Sequence, residues 1–247
     1  MSSNTRTCVV TGASRGIGSG IAERLAEDGL NVVVNYRSSE GEAYDVVDRI
    51  EAAGGTAIAV QADVTDREEV EGMRERIHDA FGPVDVLVNN AGITVDRTFK
   101  NMTREEWDRV MDVNLGGVFN CTKVFYDDIK ESDGGRIINI SSVVGQQGNY
   151  GQANYATTKS GLFGFTRTLA LELAKSEATV NCVAPGFTQT DMLAEVSEEV
   201  QGKIRQRIPL DRFAEVEDIS GMVAFLAGPE SSYMTGQVLG INGGMEW

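Results

Sequence analysis

Tyr155 and Lys159 are the two residues of this chain whose types and spacing most directly suggest proton-transfer chemistry. They are four positions apart, so they lie on one face if the segment is helical. An ammonium beside a phenol favours the phenolate, and we therefore expect Lys159 to lower the pKa of Tyr155 from its free value of about 10. A tyrosine tuned in this way can donate a proton to a carbonyl oxygen or take one from an alcohol. Ser142 adds a hydroxyl that could bond to the same oxygen, although the spacing alone also fits a surface helix pair.

A glycine-rich turn near the beginning of the chain predicts a dinucleotide site. A short apolar strand is predicted over residues 7–11, the sequence GASRGIG follows at residues 12–18, and a helical period begins at Gly20. Glycines allow the backbone to approach a pyrophosphate that lies over a helix N-terminus. Because the context is strand, turn and helix, we favour cofactor binding over an ordinary glycine turn.

The end of the second predicted strand, over residues 30–35, indicates which dinucleotide is bound. An acidic residue there would hold the ribose hydroxyl of NAD, but this region contains Asn35 and Arg37 and no acid. Arg37 and Arg15 carry guanidinium groups, which suit a 2′-phosphate. We therefore predict NADP(H) over NAD(H), the alternative being that one or both arginines are merely solvated.

Strands and helices alternate along the whole chain, which predicts one parallel sheet covered by helices on both faces. Further strands are predicted over residues 56–62, 84–88, 136–140, 179–183 and 237–241, and further helices over residues 42–54, 68–81, 107–129, 155–175 and 219–226. We find no linker, repeat or low-complexity tract. The prediction is therefore an α/β, Rossmann-type, doubly wound parallel sheet in a single domain over residues 1–247.

The charge balance argues against several classes of partner. Aspartate and glutamate number 37 against 22 lysines and arginines, which gives a net charge of −15, and such a chain is a poor partner for nucleic acid or an anionic membrane surface. Adaptation to high salt would explain the charge, because salt screens self-repulsion; an ordinary acidic cytosolic protein is the alternative. We find no membrane-spanning apolar run and no signal peptide, so we expect a cytoplasmic location.

Cysteine and histidine usage argues against disulfides and metal sites. Cys8, Cys121 and Cys182 are scattered without a CxxC spacing, as is usual in a reducing compartment. His78 is the single histidine. A serine–histidine hydrolase or a multi-histidine metal site is therefore not expected.

Together these motifs resemble the short-chain dehydrogenase/reductase family over essentially the whole chain. The residues that carry the resemblance are residues 12–18, the NNAG sequence at residues 89–92, Asn114, Ser142, Tyr155, Lys159, Pro185 and Gly186. The resemblance implies that Tyr155 protonates a ketone oxygen and that Lys159 lowers its pKa and bonds the nicotinamide ribose. It implies also that Ser142 polarises the carbonyl and that Asn114 anchors a water leading from Lys159 to solvent.

The resemblance further implies a set of contacts to NADP(H). These expected contacts are Gly12, Ser14, Arg15, Gly16, Ile17, Gly18, Asn35, Arg37, Asp63, Val64, Asn90, Ala91, Gly92, Tyr155, Lys159, Pro185, Gly186 and Thr188. Asp63 and Val64 are similar to a pair that contacts adenine, and the segment ending at Thr188 resembles one that holds the nicotinamide carboxamide. A strand-ending turn at residues 89–90 and a plain loop hydroxyl at Thr188 are the alternatives.

Within the family, the nearest resemblance is to reductases of 3-oxoacyl thioesters. Residues 145–155 and 96–107 are similar to those of acetoacetyl-CoA reductases of polyhydroxyalkanoate synthesis, which implies reduction of acetoacetyl-CoA. Reduction of a 3-oxoacyl-acyl carrier protein and a noncatalytic NADP-sensing role are the alternatives. The expected substrate contacts are Ser142, Asn149, Tyr150, Gln152, Tyr155 and Phe187, although Tyr150 could instead only pack on its loop.

Surface charge also favours coenzyme A over an acyl carrier protein as the carrier of the substrate. Carrier proteins are acidic and dock on basic helices, whereas Asp127 and Asp128 lie near the end of one helix beside the site. In the next helix, Leu171 stands where such reductases tend to have an arginine. The resemblance implies in addition a mobile lid over residues 188–212 and a homotetramer paired through the helices at 107–131 and 155–175.

Overall fold

The computed structural model describes residues 5–194 and 196–246, and at its centre lies one sheet of seven strands. The strands are Thr7–Val10 (β1), Asn31–Tyr36 (β2), Thr56–Gln61 (β3), Val86–Asn89 (β4), Arg136–Ile140 (β5), Thr179–Pro185 (β6) and Val238–Ile241 (β7). Their order is β3-β2-β1-β4-β5-β6-β7, and every neighbouring pair is parallel. The predicted α/β Rossmann-type sheet is therefore confirmed.

Helices connect the strands and cover both faces of the sheet. The α-helices within the described residues are Gly16–Glu27 (α1), Glu40–Ala52 (α2), Arg67–Phe81 (α3), Arg104–Met111 (α4), Gly117–Glu131 (α5), Val143–Gln147 (α6), Ala153–Leu173 (α7), Asp191–Ala194 (α8), Glu198–Arg205 (α9) and Val216–Ala227 (α10). α1, α2 and α10 pack on one face, whereas α3, α5 and α7 pack on the other. None of these described helices is both long enough and apolar enough to cross a membrane.

The sheet is buried on both faces, which explains why its strands are apolar without alternation. In β1, Cys8 and Val10 pack toward α1, α2 and α10, whereas Val9 packs toward α3 and α5. β-branched side chains suit such a surface because they pack well on pleated backbone. Since parallel strands all end at one edge, the loops after β1, β2, β4, β5 and β6 meet there and build the candidate site.

One predicted helix differs from the structure. In place of a single helix over residues 107–129, the chain forms α4, a π-helical turn at Asp112–Gly116 and then α5. α4 begins earlier than predicted because Thr103 and Glu106 form a capping box before it. A π turn inserts one residue without ending the helix, so hydrophobic periodicity does not reveal it. The turn contains Asn114, which is fully buried.

Candidate active site

The glycine turn after β1 packs closer to its neighbours than side chains would allow. Gly12 and Gly16 have φ angles of 61° and 59°, in the left-handed region that favours glycine. A Cβ on Gly12 would lie 3.0 Å from the Cα of Ala91, and a Cβ on Gly18 would lie 2.5 Å from Asn90 Nδ2. The predicted turn therefore rests directly on the NNAG segment that follows β4.

Thr11 and Asn90 hold this contact together. Thr11 Oγ1 accepts hydrogen bonds from the backbone N–H groups of Asn90 and Ala91, both at 3.0 Å. In return, Asn90 Nδ2 donates to the carbonyls of Thr11 and Gly12, at 2.9 and 3.1 Å. These bonds cross from one strand end to the next, and they fix the shape of the turn before any ligand arrives.

Asn35 supports the same turn from the end of β2. Its Oδ1 accepts from the Gly12 N–H at 3.2 Å, and its Nδ2 donates to the carbonyls of Val60 and Ala62. The residue is 1% exposed. Because its side chain already bonds to β3 and the turn, this position favours a supporting role over the expected direct contact with the cofactor.

The beginning of α1 and two arginines fit the phosphates of a dinucleotide. Arg15 is the N-cap residue of α1 and makes no side-chain cap hydrogen bond, so the first N–H groups of the helix lack that partner. Arg37 follows β2 with its side chain 56% exposed, and its partner Asp63 lies at 3.8 Å. An anion at this edge would meet a helix N-terminus and two guanidinium groups. These residues therefore fit the pyrophosphate and the 2′-phosphate of NADP(H).

Ser14, Ile17 and Gly92 border the space between the turn and the proton-transfer residues. Ser14 is half-buried, and the Ile17 side chain packs on the core, which leaves the Ile17 backbone for a ligand. Gly92 is exposed. A Cβ there would lie 3.4 Å from both Asn114 Oδ1 and Lys159 Nζ, so any larger residue would fill the approach to Lys159.

Asp63 and Val64 lie at the end of β3. Asp63 Oδ1 accepts from the backbone N–H and the hydroxyl of Thr65, at 2.9 and 2.8 Å. Val64 is 7% exposed and lies under α5, where a Cβ on Gly117 would come within 2.6 Å of it. Asp63 therefore borders the expected position of the cofactor's adenosine, whereas the buried Val64 could contact the cofactor with little more than its backbone.

The segment after β6 forms the other wall of the cleft. Pro185 ends the strand, and a Cβ on Gly186 would lie 2.8 Å from the Cα of Asn242, so glycine is required for this close approach. Thr188 is 7% exposed, and its Oγ1 donates to the Gly186 carbonyl at 3.3 Å. Phe187 is half-buried and lines a cavity of about 480 Å³ that extends toward the loop after α9.

Tyr155 and Lys159 both lie on α7, one turn apart, as predicted. Lys159 Nζ lies 5.5 Å from the centroid of the Tyr155 ring and donates to the carbonyl of Ile140, the last residue of β5, at 2.8 Å. Ser141 Oγ donates to the Lys159 carbonyl at 2.7 Å. Ile140 at the end of β5 and the next residue, Ser141, therefore hold the two ends of the lysine.

Burial sets the protonation of this pair. Burial raises the pKa of Tyr155 to about 12, the Ser142 hydroxyl lowers it by less, and the charge of Asp96 raises it further. Burial also lowers the pKa of Lys159 to about 8. The Tyr155 pKa therefore lies above its free value and not below it, because removal of the phenol from water is the largest of these effects. At neutral pH the phenol keeps its proton.

Ser142 and Asn114, the other two expected catalytic residues, are held mainly by backbone groups. Ser142 is the N-cap of α6, and its Oγ accepts from the Val144 N–H at 3.1 Å, which leaves the hydroxyl hydrogen for the Tyr155 oxygen or for a substrate oxygen. Asn114 bonds both backbone groups of Ile93, at 2.8 and 3.0 Å, and its Nδ2 also donates to Thr158 Oγ1 at 3.2 Å. The π turn thus connects the loop after β4 with α7.

The expected substrate loop is joined by side chains. Asn149 Nδ2 donates to Gln152 Oε1 at 3.0 Å, and Gln152 Nε2 donates to both carboxylate oxygens of Asp96 at 2.9 Å. Tyr150 is 88% exposed, so its ring projects from the loop and does not line a closed pocket. Asn149 and Gln152 lie close to Tyr155 along the chain.

Comparison with known proteins agrees with this geometry. Residues 12–246 match the family model adh_short_C2, described as enoyl-(acyl carrier protein) reductase. The chain is a short-chain dehydrogenase/reductase. It is 49% identical to a 3-oxoacyl-acyl-carrier-protein reductase of Staphylococcus aureus strain Mu50 over 241 residues, which cover 98% of both chains. It is equally similar, at 49% over 241 residues, to one of Synechocystis sp. strain PCC 6803, with 97% of this chain and 96% of that protein covered.

Membership in the short-chain dehydrogenase/reductase family agrees with an oxidoreductase that acts on a carbonyl or an alcohol and uses NADP(H). The sequence did not single out Thr11, Asp96 or Asn154 in the site. A hydroxyl at the end of a buried strand must find a partner, and that signal could have revealed Thr11. Asp96 and Asn154 bond to residues far along the chain, and no local pattern marks them.

Proposed function

We propose that this short-chain dehydrogenase/reductase is a cytoplasmic enzyme that uses NADPH to reduce the ketone of a 3-oxoacyl thioester to the 3-hydroxyacyl thioester. The observation that carries the proposal is the meeting of Ser142, Tyr155 and Lys159 beside the open glycine turn. The names of the relatives support the thioester class, because both are reductases of a 3-oxoacyl thioester.

Reduction of a ketone needs a hydride and a proton. NADPH, when bound, would supply the hydride for the ketone carbon. Tyr155 donates its hydroxyl proton to the ketone oxygen, and the Ser142 hydroxyl holds that oxygen in place. The ammonium of Lys159, 5.5 Å from the ring, stabilises the phenolate that is left until it regains a proton.

The relatives favour an acyl carrier protein over coenzyme A as the carrier, which differs from the acetoacetyl-CoA reduction expected from the loop sequence. Coenzyme A remains a second candidate because of the exposed surface near the ends of α5 and α7. Leu171 on α7 is 81% exposed, and Asp127 on α5 is exposed as well. An acidic carrier protein gains affinity from basic residues at such positions and is repelled by acidic ones.

The direct test follows the loss of NADPH absorbance with three substrates: an acetoacetyl-acyl carrier protein, acetoacetyl-CoA and a simple ketone without a thioester. We expect the two thioesters to react and the simple ketone to react far more slowly, in both dilute and concentrated KCl. Turnover of neither thioester would refute the proposed function. The ratio of kcat/KM for the two thioesters decides between the carriers.

Substitution of Leu171 by arginine tests the carrier independently. If an acyl carrier protein docks on α7, Leu171→Arg should lower KM for the carrier-protein substrate several-fold, about 1 kcal/mol, and leave KM for acetoacetyl-CoA unchanged. Leu171→Gln is the matched control without charge. Equal effects on both substrates would contradict docking at this face.

We infer also that the protein is a homotetramer. Support comes from the resemblance of α5 and α7 to the helices that pair in tetramers of the family, and from Phe119 on α5, which is 52% exposed. Large exposed apolar side chains that form a patch are typical of interaction surfaces. Light scattering after size-exclusion chromatography measures the mass directly, and a monomer at micromolar concentration would refute the inference.

A further inference from the structure

Residues 93–97, which we call the strap, pass between the substrate loop (residues 148–152) and the π turn. Asn114 bonds the N–H and the carbonyl of Ile93 at 2.8 and 3.0 Å. Asn154 Nδ2 donates to the carbonyl of Val95 at 3.1 Å, and the Arg97 N–H donates to the carbonyl of Gly151 at 2.8 Å. The strap is therefore fixed to the π turn, to α7 and to the substrate loop.

Asp96 is an exposed strap residue whose carboxylate bonds the substrate loop. Its Oδ1 accepts from the Thr94 hydroxyl at 2.7 Å, and both of its carboxylate oxygens accept from Gln152 Nε2 at 2.9 Å. Gln152 in turn accepts from Asn149. Within the described residues, the loop between Gly148 and Gln152 has few backbone hydrogen bonds of its own, so this chain of side chains largely sets its position.

Few other charges act on Tyr155. Lys159 lies over the ring from the same helix, and the Cys182 thiol of β6 lies near that lysine. Arg97 and Glu106 pair with each other at 3.0 Å on the strap and α4, so their charges largely cancel. The negative charge of Asp96 raises the pKa of Tyr155, after burial and against the smaller effect of Ser142.

We propose that Asp96 is a positioning residue of the reductase: its carboxylate holds the substrate loop through Gln152 and places a negative charge beside the Tyr155 proton donor. The inference rests on the proposed function, and it adds a residue that acts through Gln152 and Tyr155. The carboxylate has two effects that can be separated, because its hydrogen bonds hold the substrate loop, whereas its charge adds to the larger effect of burial on the Tyr155 proton.

The variant Asp96→Asn removes the charge and keeps one oxygen that can accept from Gln152. In the oxidation direction Tyr155 must lose its proton before it can take one from the alcohol. The rise of the oxidation rate with pH should therefore move to lower pH, by about half a unit to one unit, and KM for the thioester should rise about two- to tenfold. Gln152→Ala should raise KM without moving the pH profile.

The matched control is Asp45→Asn, which makes the same charge change at an exposed carboxylate on α2 and should leave both quantities unchanged. An unchanged pH profile in Asp96→Asn, or an equal shift in Asp45→Asn, would overturn the proposal. The ultraviolet absorbance of tyrosinate at alkaline pH, corrected with Tyr155→Phe, gives a readout without substrate. It should show easier deprotonation in Asp96→Asn even if no thioester proves to be turned over, and an unchanged absorbance curve would again overturn the proposal.

Discussion

Lys159 is buried and Tyr155 is half-buried, and the pKa of each is shifted toward its neutral form. Burial raises the pKa of Tyr155 to about 12 and lowers that of Lys159 to about 8. A protonated phenol is the form that can donate to a ketone, so the site is prepared for reduction at neutral pH. Proton donation should therefore depend on the Tyr155 hydroxyl alone.

Tyr155→Phe removes that hydroxyl and keeps the ring. We expect kcat for thioester reduction to fall about 10²- to 10⁴-fold, the usual contribution of a positioned acid, while the Kd for NADPH, measured by fluorescence, changes by less than about threefold. Tyr44→Phe, on α2 and half exposed, is the control with the same change far from the site. Retained activity in Tyr155→Phe would mean that another group supplies the proton.

Lys159 should make stability depend on pH in a defined window. Its pKa is about 8 in the folded protein against 10.5 for a free lysine, so between these values the unfolded chain binds a proton that the folded chain does not. Stability therefore rises with pH through this window, and the cost of burying the ammonium is present in full below it.

Replacing the ammonium by an apolar group of similar length should remove this dependence. We expect Lys159→Met to be more stable than the wild type near neutral pH, by at most about 3 kcal/mol, and the difference to vanish in strongly alkaline buffer. Urea unfolding at several pH values measures it. Lys130→Met, an exposed lysine on α5, is the control, and a difference independent of pH would contradict the assigned pKa.

At the scale of elements, the site depends on the close approach of α6 to α7. A Cβ on Gly145 in α6 would lie 2.8 Å from the carbonyl carbon of Lys159, and the Ser160 hydroxyl donates to the Gly145 carbonyl. Ser142 begins α6, and Tyr155 and Lys159 lie on α7. The distance between these two helices therefore sets how the three side chains meet.

Gly145→Ala should push the two helices apart. We expect kcat to fall tenfold or more, because reacting groups lose alignment with small displacements, and stability to fall by about 1–3 kcal/mol from overpacking. The control is Gly164→Ala on α7, where the new methyl meets nothing within 4 Å. Its stability should rise by about 0.5–1 kcal/mol with activity unchanged. Equal activity in the two variants would show that the helix spacing does not matter.

At the scale of the whole molecule, the sheet and most of the site were predictable because their signals are local. The glycine turn of residues 12–18, the pair Tyr155 and Lys159, and the strand ends follow from spacing along a few residues. The π turn around Asn114 and the carboxylate of Asp96 were not predictable. Their roles depend on hydrogen bonds to residues 21 and 56 positions away, which only the folded chain brings together. The Tyr155 pKa was missed for the same reason, since burial is not a property of a sequence pattern.

The net charge of −15 makes a prediction about the whole molecule. Self-repulsion in the folded state should weaken as salt shortens the screening length from about 10 Å at 0.1 M to about 3 Å at 1 M. We expect Tm, measured by calorimetry, to rise by several degrees over this range of KCl. Glycerol at matched osmolarity is the uncharged control. A Tm that is already maximal in dilute buffer would contradict adaptation to salt.

If Asp96 positions Gln152 as we propose, the strap would allow the enzyme to reject substrates by rate. A thioester whose acyl group displaced Gln152 would also draw Asp96 from Tyr155 and pull on the two bonds between Ile93 and Asn114. A poor fit at the acyl end would then misalign the proton donor, so the wrong substrate would lose turnover as well as affinity. Chain-length preference could accordingly change through substitutions in residues 93–97 that never touch the substrate.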